Sequence, residues 1–487
     1  MVRCRPLLVV TVGVAIAVSL SCGPNQPAPS IAASVDSLMS ELYDQGYFNG
    51  AVVVGRGDQV LYERGFGLAN VEEGLPFTPD TPSHGASMAK TLTAAAILIL
   101  EEDGRIDLDD PVTTQLPEFP YPEVTIRHLI SHDSGLHPEA VYFNTFAPQA
   151  DKRTNDRLLE ILAEHKPPLA FPPGSAFEYS STGYIMAALL IERATGQSYA
   201  AFLRERIFDP LQMNSSFVRP AEDSDWKRPR TLGYRRVEDG ALELFDQPLN
   251  RQVYGQGGLD YSTHDLYRWV MSFHSNPVLG AQALWTGLEP SILGSEHRSA
   301  LTLLNWYHAG TGRRFYFTGD ARGHYTFAYW DADRRQAIVF MSNVLMPSWL
   351  KPKLAIALID ILEGRPPTAA EDPNYIAASV PISQAMPSLG DFASILGEYD
   401  TQPAGRVFIE NPPPKWLNIG WVLKDGWFAP VARVNGGLRY NMFPVDSGMF
   451  YVPGLDAWVG FTEGDGGLTL HWTRVFEGTS TGTRVGE

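Results

Sequence analysis

Cysteine is nearly missing from this chain of 487 residues: the only two, Cys4 and Cys22, lie at the extreme N-terminus. Their scarcity excludes a disulfide framework, a cysteine-ligated metal and a cysteine nucleophile in the body of the protein. Positive charge is also in deficit, with 38 Lys and Arg against 55 Asp and Glu for a formal net charge of -17. Phosphate binding needs clustered basic side chains, so nucleic acid is excluded as a main partner. Charged residues make up only 19% of the chain, against 44% apolar and 11% aromatic, which excludes wholesale disorder. No internal repeat is present. Length alone sets an expectation of roughly two to four domains.

The one pronounced apolar run near the N-terminus, residues 7–20, follows Arg3 and Arg5. It is too short and one-sided for a spanning helix and has the charged and apolar regions of a secretory signal. Cys22 follows Leu20-Ser21, and the stretch resembles a bacterial lipoprotein signal, in which the cysteine becomes the lipidated N-terminus. Ser19 departs from that pattern by standing where such signals usually carry Leu. Residues 1–22 are therefore expected to be a leader of lipoprotein type, with ordinary cleavage and a free thiol as the alternative. The Gly23-Pro24-Asn25-Gln26-Pro27-Ala28-Pro29-Ser30 stretch makes residues 23–34 a tether.

Beyond it, Val35, Leu38, Met39, Leu42 and Tyr43 follow helical spacing. Residues 51–62, with a turn at Arg56-Gly57-Asp58, read as a β-hairpin. Helices are expected at 88–102, 183–195, 263–274 and around Leu354 to Leu362. Ser262 and Asp265 form a capping-box pattern at the start of the third of these. Strands are expected at 315–318, 325–330 and 337–341. Residues 365–390 lose periodicity and gather Pro, Ala and Ser, as a linker does. From 391 to 487 short alternating strands and Gly/Pro/Asp turns predict a separate all-β domain.

Two patterns are decoys. Gly478-Thr479-Ser480-Thr481-Gly482 fits the nucleophile-elbow spacing, but the chain ends too soon for the helix such a serine needs, so it is expected to be a turn. His128 and His132, with Asp133 and His137 nearby, have no acidic helper at metallohydrolase spacing, and Ser134-Gly135 interrupts them. Ser-x-x-Lys occurs three times. Ser224 with Lys227 lies in an acidic loop, and Ser348 with Lys351 is followed at once by Pro352. Ser87 with Lys90 differs, because it opens a helix that is apolar nearly all round and therefore buried. A spacing of three sets Lys90 one turn from Ser87 on the same face, where it can take the serine's proton.

Gly85-Ala86-Ser87-Met88-Ala89-Lys90, residues 125–136 (Thr125 to Leu136), Phe171-Pro172-Pro173-Gly174 and Tyr179-Ser180-Ser181 together resemble the serine β-lactamase and penicillin-binding-protein family. The likeness is to the branch that also holds esterases and D-amino-acid peptidases. It runs from about residue 35 to 345 in the family's order and includes Gly257-Gly258-Leu259 and Ser342-Asn343. It implies an α+β domain over 35–364, an antiparallel sheet flanked by helices with an all-helical subdomain. It also implies that Ser87 is the acylated nucleophile, Lys90 its proton partner and Tyr179 a second base. The strand Phe317-Thr318-Gly319 would lie along the substrate, and the backbone N–H groups of Ser87 and Asp320 would form the oxyanion hole. The family's chemistry needs no metal or organic cofactor. The C-terminal domain loosely resembles the small lipocalin-like β-barrel often appended to such hydrolases, with Phe461 to Trp472 as two strands about a Gly-rich turn.

Two departures bear on substrate. Ser181 replaces the Asn of the family's Tyr-x-Asn, removing an amide donor pair, and is free to cap the following helix. Phe317 replaces a Lys or His that meets substrate carboxylates, offering apolar contact instead; Arg322 or His324 are candidates to restore the charge. Both changes direct the expectation towards less charged substrates, with a small-molecule ester or amide or a peptide as the partner molecule. The competing expectations are a catalytically impaired binding protein of the cell envelope, and a true β-lactamase or D-alanyl-D-alanine carboxypeptidase. If Cys22 carries lipid, Cys22→Ala shifts the protein from the membrane fraction to the soluble fraction on cell fractionation, and an unchanged distribution rejects the anchor.

Overall fold

The computed structural model describes residues 30–365, apart from 149–151, 176, 221–230, 238–239, 247–250, 276, 290–301, 309–311 and 348–349, together with the strands between Gly397 and Arg484. The leader, Ser224, Lys227 and Ser348 lie outside the described residues. Helix α1 (Ile31–Asp44) starts within the stretch expected to be tether, because the Ser30 side chain accepts from the Ala33 N–H and caps it. The hairpin follows as β1 (Gly50–Arg56) and β2 (Gln59–Phe66).

Short strand β3 (Ser83–His84) leads through a 3-10 turn, Ala86–Met88, into α2 (Ala89–Glu102). A helical layer comes next: α3 (Ile126–Ile130), α4 (Glu139–Phe146), α5 (Asn155–His165), α6 (Ser181–Thr195) and α7 (Tyr199–Leu203). Helix α6 stops at Gly196, whose left-handed φ of 72° closes the last turn. Strands β4 (Phe217–Val218) and β5 (Leu259–Tyr261) form a small antiparallel sheet with β3, with β5 in the middle. Helix α8 (Thr263–Ser272) takes half of the expected capping box: the Ser262 hydroxyl accepts from the Asp265 N–H at 3.1 Å. Then come α9 (Ala281–Gly287), β6 (Tyr307–His308), β7 (Arg314–Ala321), β8 (His324–Asp331), β9 (Gln336–Ser342) and α10 (Leu350–Leu362).

The main sheet has six strands among the described residues, all antiparallel, in the order β6-β7-β8-β9-β1-β2. Chain-distant pairing of β9 with β1, Gly50 opposite Ser342, closes the sheet around the first hairpin. Every residue of β8 and β9 is buried, so both faces of the sheet are covered. Helix α8 packs on β1, β8 and β9, while α1 and α10 pack on each other and on β2 and β9. Helix α2 is buried at each position from Ala89 to Leu100, including Lys90, Thr91 and Thr93. Those polar side chains are satisfied by neighbours: Thr91 Oγ1 accepts from Trp269 Nε1 and Thr93 Oγ1 donates to the Gly255 carbonyl.

The C-terminal strands form one antiparallel sheet of nine, from Arg439–Asn441 at one end to Phe443–Asp446 at the other. Strands Ala457–Gly464 and Gly467–Arg474 pair about the expected Gly-rich turn. The decoy at 478–482 is not a turn. It lies in strand Gly478–Arg484 and pairs with both neighbouring strands, since its Thr and Ser residues suit extended backbone.

His264, in the first turn of α8, is held between two carboxylates, Nδ1 on Asp80 at 2.8 Å and Nε2 on Glu63 at 2.7 Å. Partial burial alone would lower its pKa, but the two carboxylates outweigh burial and raise it above the ordinary histidine value. A raised folded-state pKa contributes stability that is complete below the unfolded value, about 6.5, and is lost as pH rises through the folded value. His264→Gln should therefore lower the melting temperature at pH 5.5 and have little effect at pH 9. The partners are solvent-exposed, so the loss should be about 1 kcal/mol or less; equal losses at both pH values would refute the linkage.

Candidate active site

The turn that carries Ser87 is built by close approach. Gly85 donates its N–H to the Leu259 carbonyl at 3.0 Å, and a Cβ there would fall 1.9 Å from the Tyr261 ring. Ala86 then takes a left-handed φ of 49°, a strained conformation for a residue with a side chain. This puts Ser87 in the 3-10 turn and Lys90 one turn later in α2. Lys90 is fully buried, and its Nζ donates to Ser87 Oγ at 3.3 Å and to the Gln256 carbonyl at 2.9 Å. Two aromatic faces complete its surroundings: Nζ lies 5.0 Å from the Tyr179 ring centroid and 5.7 Å from that of Tyr184.

The structure places Lys90 against both Ser87 and the Tyr179 ring, as the sequence groups them, and adds Gln256, which sequence reasoning misses. Its contribution is a backbone carbonyl, which no residue type announces. The available signal was the glycine cluster: Gly255 and Gly258 have φ of 96° and 72°, and a Cβ at Gly255 would meet the Tyr184 carbonyl at 2.3 Å. Tyr179 lies just before Ser180, the N-cap of α6, and is flanked by residues tied to His132. The Glu178 N–H donates to the His132 carbonyl at 2.9 Å, and the Ser180 N–H donates to His132 Nδ1 at 3.0 Å.

The two expected oxyanion donors lie on neighbouring backbone. A Cβ added to Gly319 would sit 2.3 Å from the Gly85 carbonyl and 3.1 Å from Ser87 N, so β7 passes directly beside the nucleophile. Strand β6 pairs only with Phe315 and Tyr316, leaving Thr318, Gly319 and Asp320 on an edge that no described strand covers. Backbone donors fixed in this way need no reorganisation to meet a developing negative charge, which is what the expected oxyanion role requires. The Asp320 carboxylate pairs with Lys351 of α10, whose Nζ also lies 4.8 Å from the Tyr325 ring centroid.

Several expected roles need correction. Ser181 is not the helix cap: Ser180 is, and Ser181 is the first helical residue, half-buried. Phe317 does not present its ring for apolar contact with substrate. It is 1% exposed and stacked on Tyr307 with centroids 5.6 Å apart, because β7 turns Phe315 and Phe317 into the aromatic core. His324 cannot replace the missing charge, since it is buried with Nε2 on Asp246 at 2.9 Å and Nδ1 on Ser83 Oγ at 3.3 Å. Arg322 is exposed, its guanidinium 5.5 Å from the Phe245 ring. The histidine pair is engaged elsewhere: His128 Nδ1 accepts from the Thr125 N–H in a capping box, and His132 holds the Tyr179 segment. Burial pushes the His132 pKa down to about 3 and that of His137 to about 4, and pushes the Asp133 carboxyl up to about 7.

Comparison with known proteins speaks to the family and the fold. A family model described as Beta-lactamase matches residues 35–362. A penicillin-binding protein of Bacillus subtilis strain 168 is 28% identical over 450 residues, covering 88% of this chain and 94% of the relative. Esterase EstB of Burkholderia gladioli is 35% identical over 231 residues, 44% of this chain and 59% of the esterase. Among solved structures, an octameric penicillin-binding protein homologue from Pyrococcus abyssi superposes with a TM-score of 0.58 at 20% identity, over 93% of this chain and 99% of that one. At that identity the likeness speaks for the fold.

The space test is direct. Gly319→Ala must push β7 away from the nucleophile turn, and is expected to lower the rate of Ser87 acylation by about 100-fold, the cost of losing one oxyanion donor. Wild-type acylation in the folded variant would show that the close approach is unnecessary.

Proposed function

The chain belongs to the Beta-lactamase family, and from that premise we propose that it is a serine hydrolase working through an acyl-enzyme on Ser87. The observation that carries the reading is the buried Lys90 Nζ at 3.3 Å from Ser87 Oγ, with the open edge of β7 beside Ser87 N. Ser87 Oγ attacks the substrate carbonyl carbon, and its proton passes to the Lys90 and Tyr179 pair. The carbonyl oxygen takes the negative charge and is held by the N–H groups of Ser87 and Asp320. Collapse breaks the bond to the alcohol or amine, which leaves with the proton returned by the pair. Water then repeats the attack on the acyl-enzyme, giving its proton to the same pair, and the acid is released as Ser87 regains its hydrogen.

The substrate class follows from what replaces the family's polar groups. Phe317 is a core residue, His324 is committed to Ser83 and Asp246, and Ser181 supplies no amide. These positions favour small neutral esters or amides over carboxylate-bearing β-lactams and peptidoglycan stems. Esterase EstB supports this choice as a 35% identical relative. The reading includes export with a lipid anchor on Cys22, supported by the leader pattern. It also includes closure of the C-terminal sheet into a lipocalin-like barrel; support comes from its two end strands, which a single residue, Met442, separates in the chain. A second reading, a binding protein without turnover, is favoured by Ser181 and Phe317.

A fluorophosphonate probe should label the wild type at Ser87, found by peptide mapping, and leave Ser87→Ala unlabelled. Equal labelling of both removes the nucleophile. A panel of short acyl esters beside a chromogenic cephalosporin then ranks the readings: ester turnover without cephalosporin turnover is expected, rapid cephalosporin turnover refutes the substrate class, and no turnover of either favours the binding protein.

A further inference from the structure

We propose that His132 is the positioning residue for Tyr179, and that Asn305 holds it in the one tautomer able to do this. The inference rests on the reading of Tyr179 as a base. Three contacts grip three consecutive residues. The Glu178 N–H donates to the His132 carbonyl, the Ser180 N–H donates to its Nδ1, and the Tyr179 ring lies flat on the imidazole with centroids 4.4 Å apart at 21°. On the other flank the Tyr184 ring lies 5.0 Å from the same imidazole. The phenol is thus fixed in position and tilt relative to Lys90 through His132.

The tautomer follows from the donors. A backbone N–H can only donate, so Nδ1 of His132 is the acceptor and Nε2 carries the hydrogen. That hydrogen points at Asn305 Oδ1, 3.0 Å away. Asn305 is fully buried, and its Nδ2 has no hydrogen-bond partner among the described residues. The side chain is therefore placed for its oxygen alone, at the cost of a buried amide. Both residues also hold left-handed backbone, φ of 60° for His132 and 61° for Asn305, a strain retained where neighbours fix it. A second proton on the imidazole would set Nδ1–H against the Ser180 N–H and separate the ring from Tyr179. Burial and the Lys90 charge oppose that proton, holding the His132 pKa near 3. The titratable groups facing the imidazole are Lys90, Tyr179 and Tyr184.

Asn305→Asp tests this with an almost isosteric side chain that tolerates left-handed φ. Its carboxylate favours the imidazolium, so the variant should gain an acid limb that the wild type lacks. Fluorophosphonate labelling at pH 6 should fall at least about tenfold relative to pH 9, beyond any fall in the wild type, and recover on raising the pH. His132→Asn keeps the backbone and an acceptor for Ser180 but loses the stack and the reach to Asn305; kcat on a short ester should drop about 100-fold with KM nearly unchanged. Folding of each is checked by circular dichroism, and if His132→Asn fails to fold, the pH profile of Asn305→Asp decides. Folded variants with wild-type rates and pH profiles overturn the proposal. A wild type that is itself unlabelled at Ser87 instead overturns the reading of the site on which it rests.

Discussion

A lysine nitrogen with no exposure to solvent is the constraint around which this site is organised. A buried polar group without partners costs several kcal/mol, so Lys90 is tolerable only if its surroundings supply equivalent interactions. They come from four directions: Ser87 Oγ, the Gln256 carbonyl, and the faces of Tyr179 and Tyr184. Each supplier imposes a demand of its own. Gln256 can aim its carbonyl inward because Gly255 and Gly258 take left-handed backbone and let the loop lie against α6. Tyr184 is anchored through its hydroxyl on the Ile130 carbonyl at 2.8 Å, and the adjacent Gly183 lets α6 close on α3. The neutral state of His132 follows from the same charge, since Lys90 adds to burial in keeping the ring unprotonated.

A second constraint is the close approach of β7 to the nucleophile turn. Glycine at 85 and 319, and the strained Ala86 between Gly85 and Ser87, bring two strands of backbone nearer than side chains allow. Strain of this kind persists only where neighbouring structure over-determines it. The polar network behind the turn does that: Ser83 is tied through His324 to Asp246, and Asp260, opposite His84 in the small sheet, carries a buried pair with Arg219 at 2.7 Å. The loop bearing Ser87 is thus held from below by ions and from the side by β7.

How much of this the sequence discloses depends on the kind of interaction. Helix α2 was legible because an apolar run with one polar end has few other solutions, and the Ser87 and Lys90 pair followed from helical spacing. Tyr179, and the place of the Thr318-Gly319 strand beside Ser87, were legible only through resemblance, since a tyrosine before a helix is ordinary. Gln256, His132 and Asn305 were not legible as site residues. Their contacts join positions 166, 48 and 173 residues apart, through a carbonyl, a ring acceptor and an amide oxygen. Such long-range polar contacts leave no periodicity, and residue type says nothing about a backbone carbonyl. The Phe317 error has the same origin: strand alternation predicts which face a side chain takes, but not that this face is closed by Tyr307.

That closure changes how the missing charge should be understood. In the resembling family a cation at this position meets substrate, so Phe317 reads in the sequence as a simple loss of charge. In the fold it is a gain of core. Its ring belongs to an aromatic layer in which Tyr307 also stacks on Tyr316, and Phe315 on Trp330 at 5.4 Å. Restoring a lysine at 317 would bury an ammonium among aromatic rings within the same domain that already buries Lys90, and would remove the ring stacked on Tyr307. The aromatic layer and the missing cation at position 317 are therefore one feature. A chain committed to that layer cannot regain a cation at this position by a single substitution without breaking the stack on Tyr307.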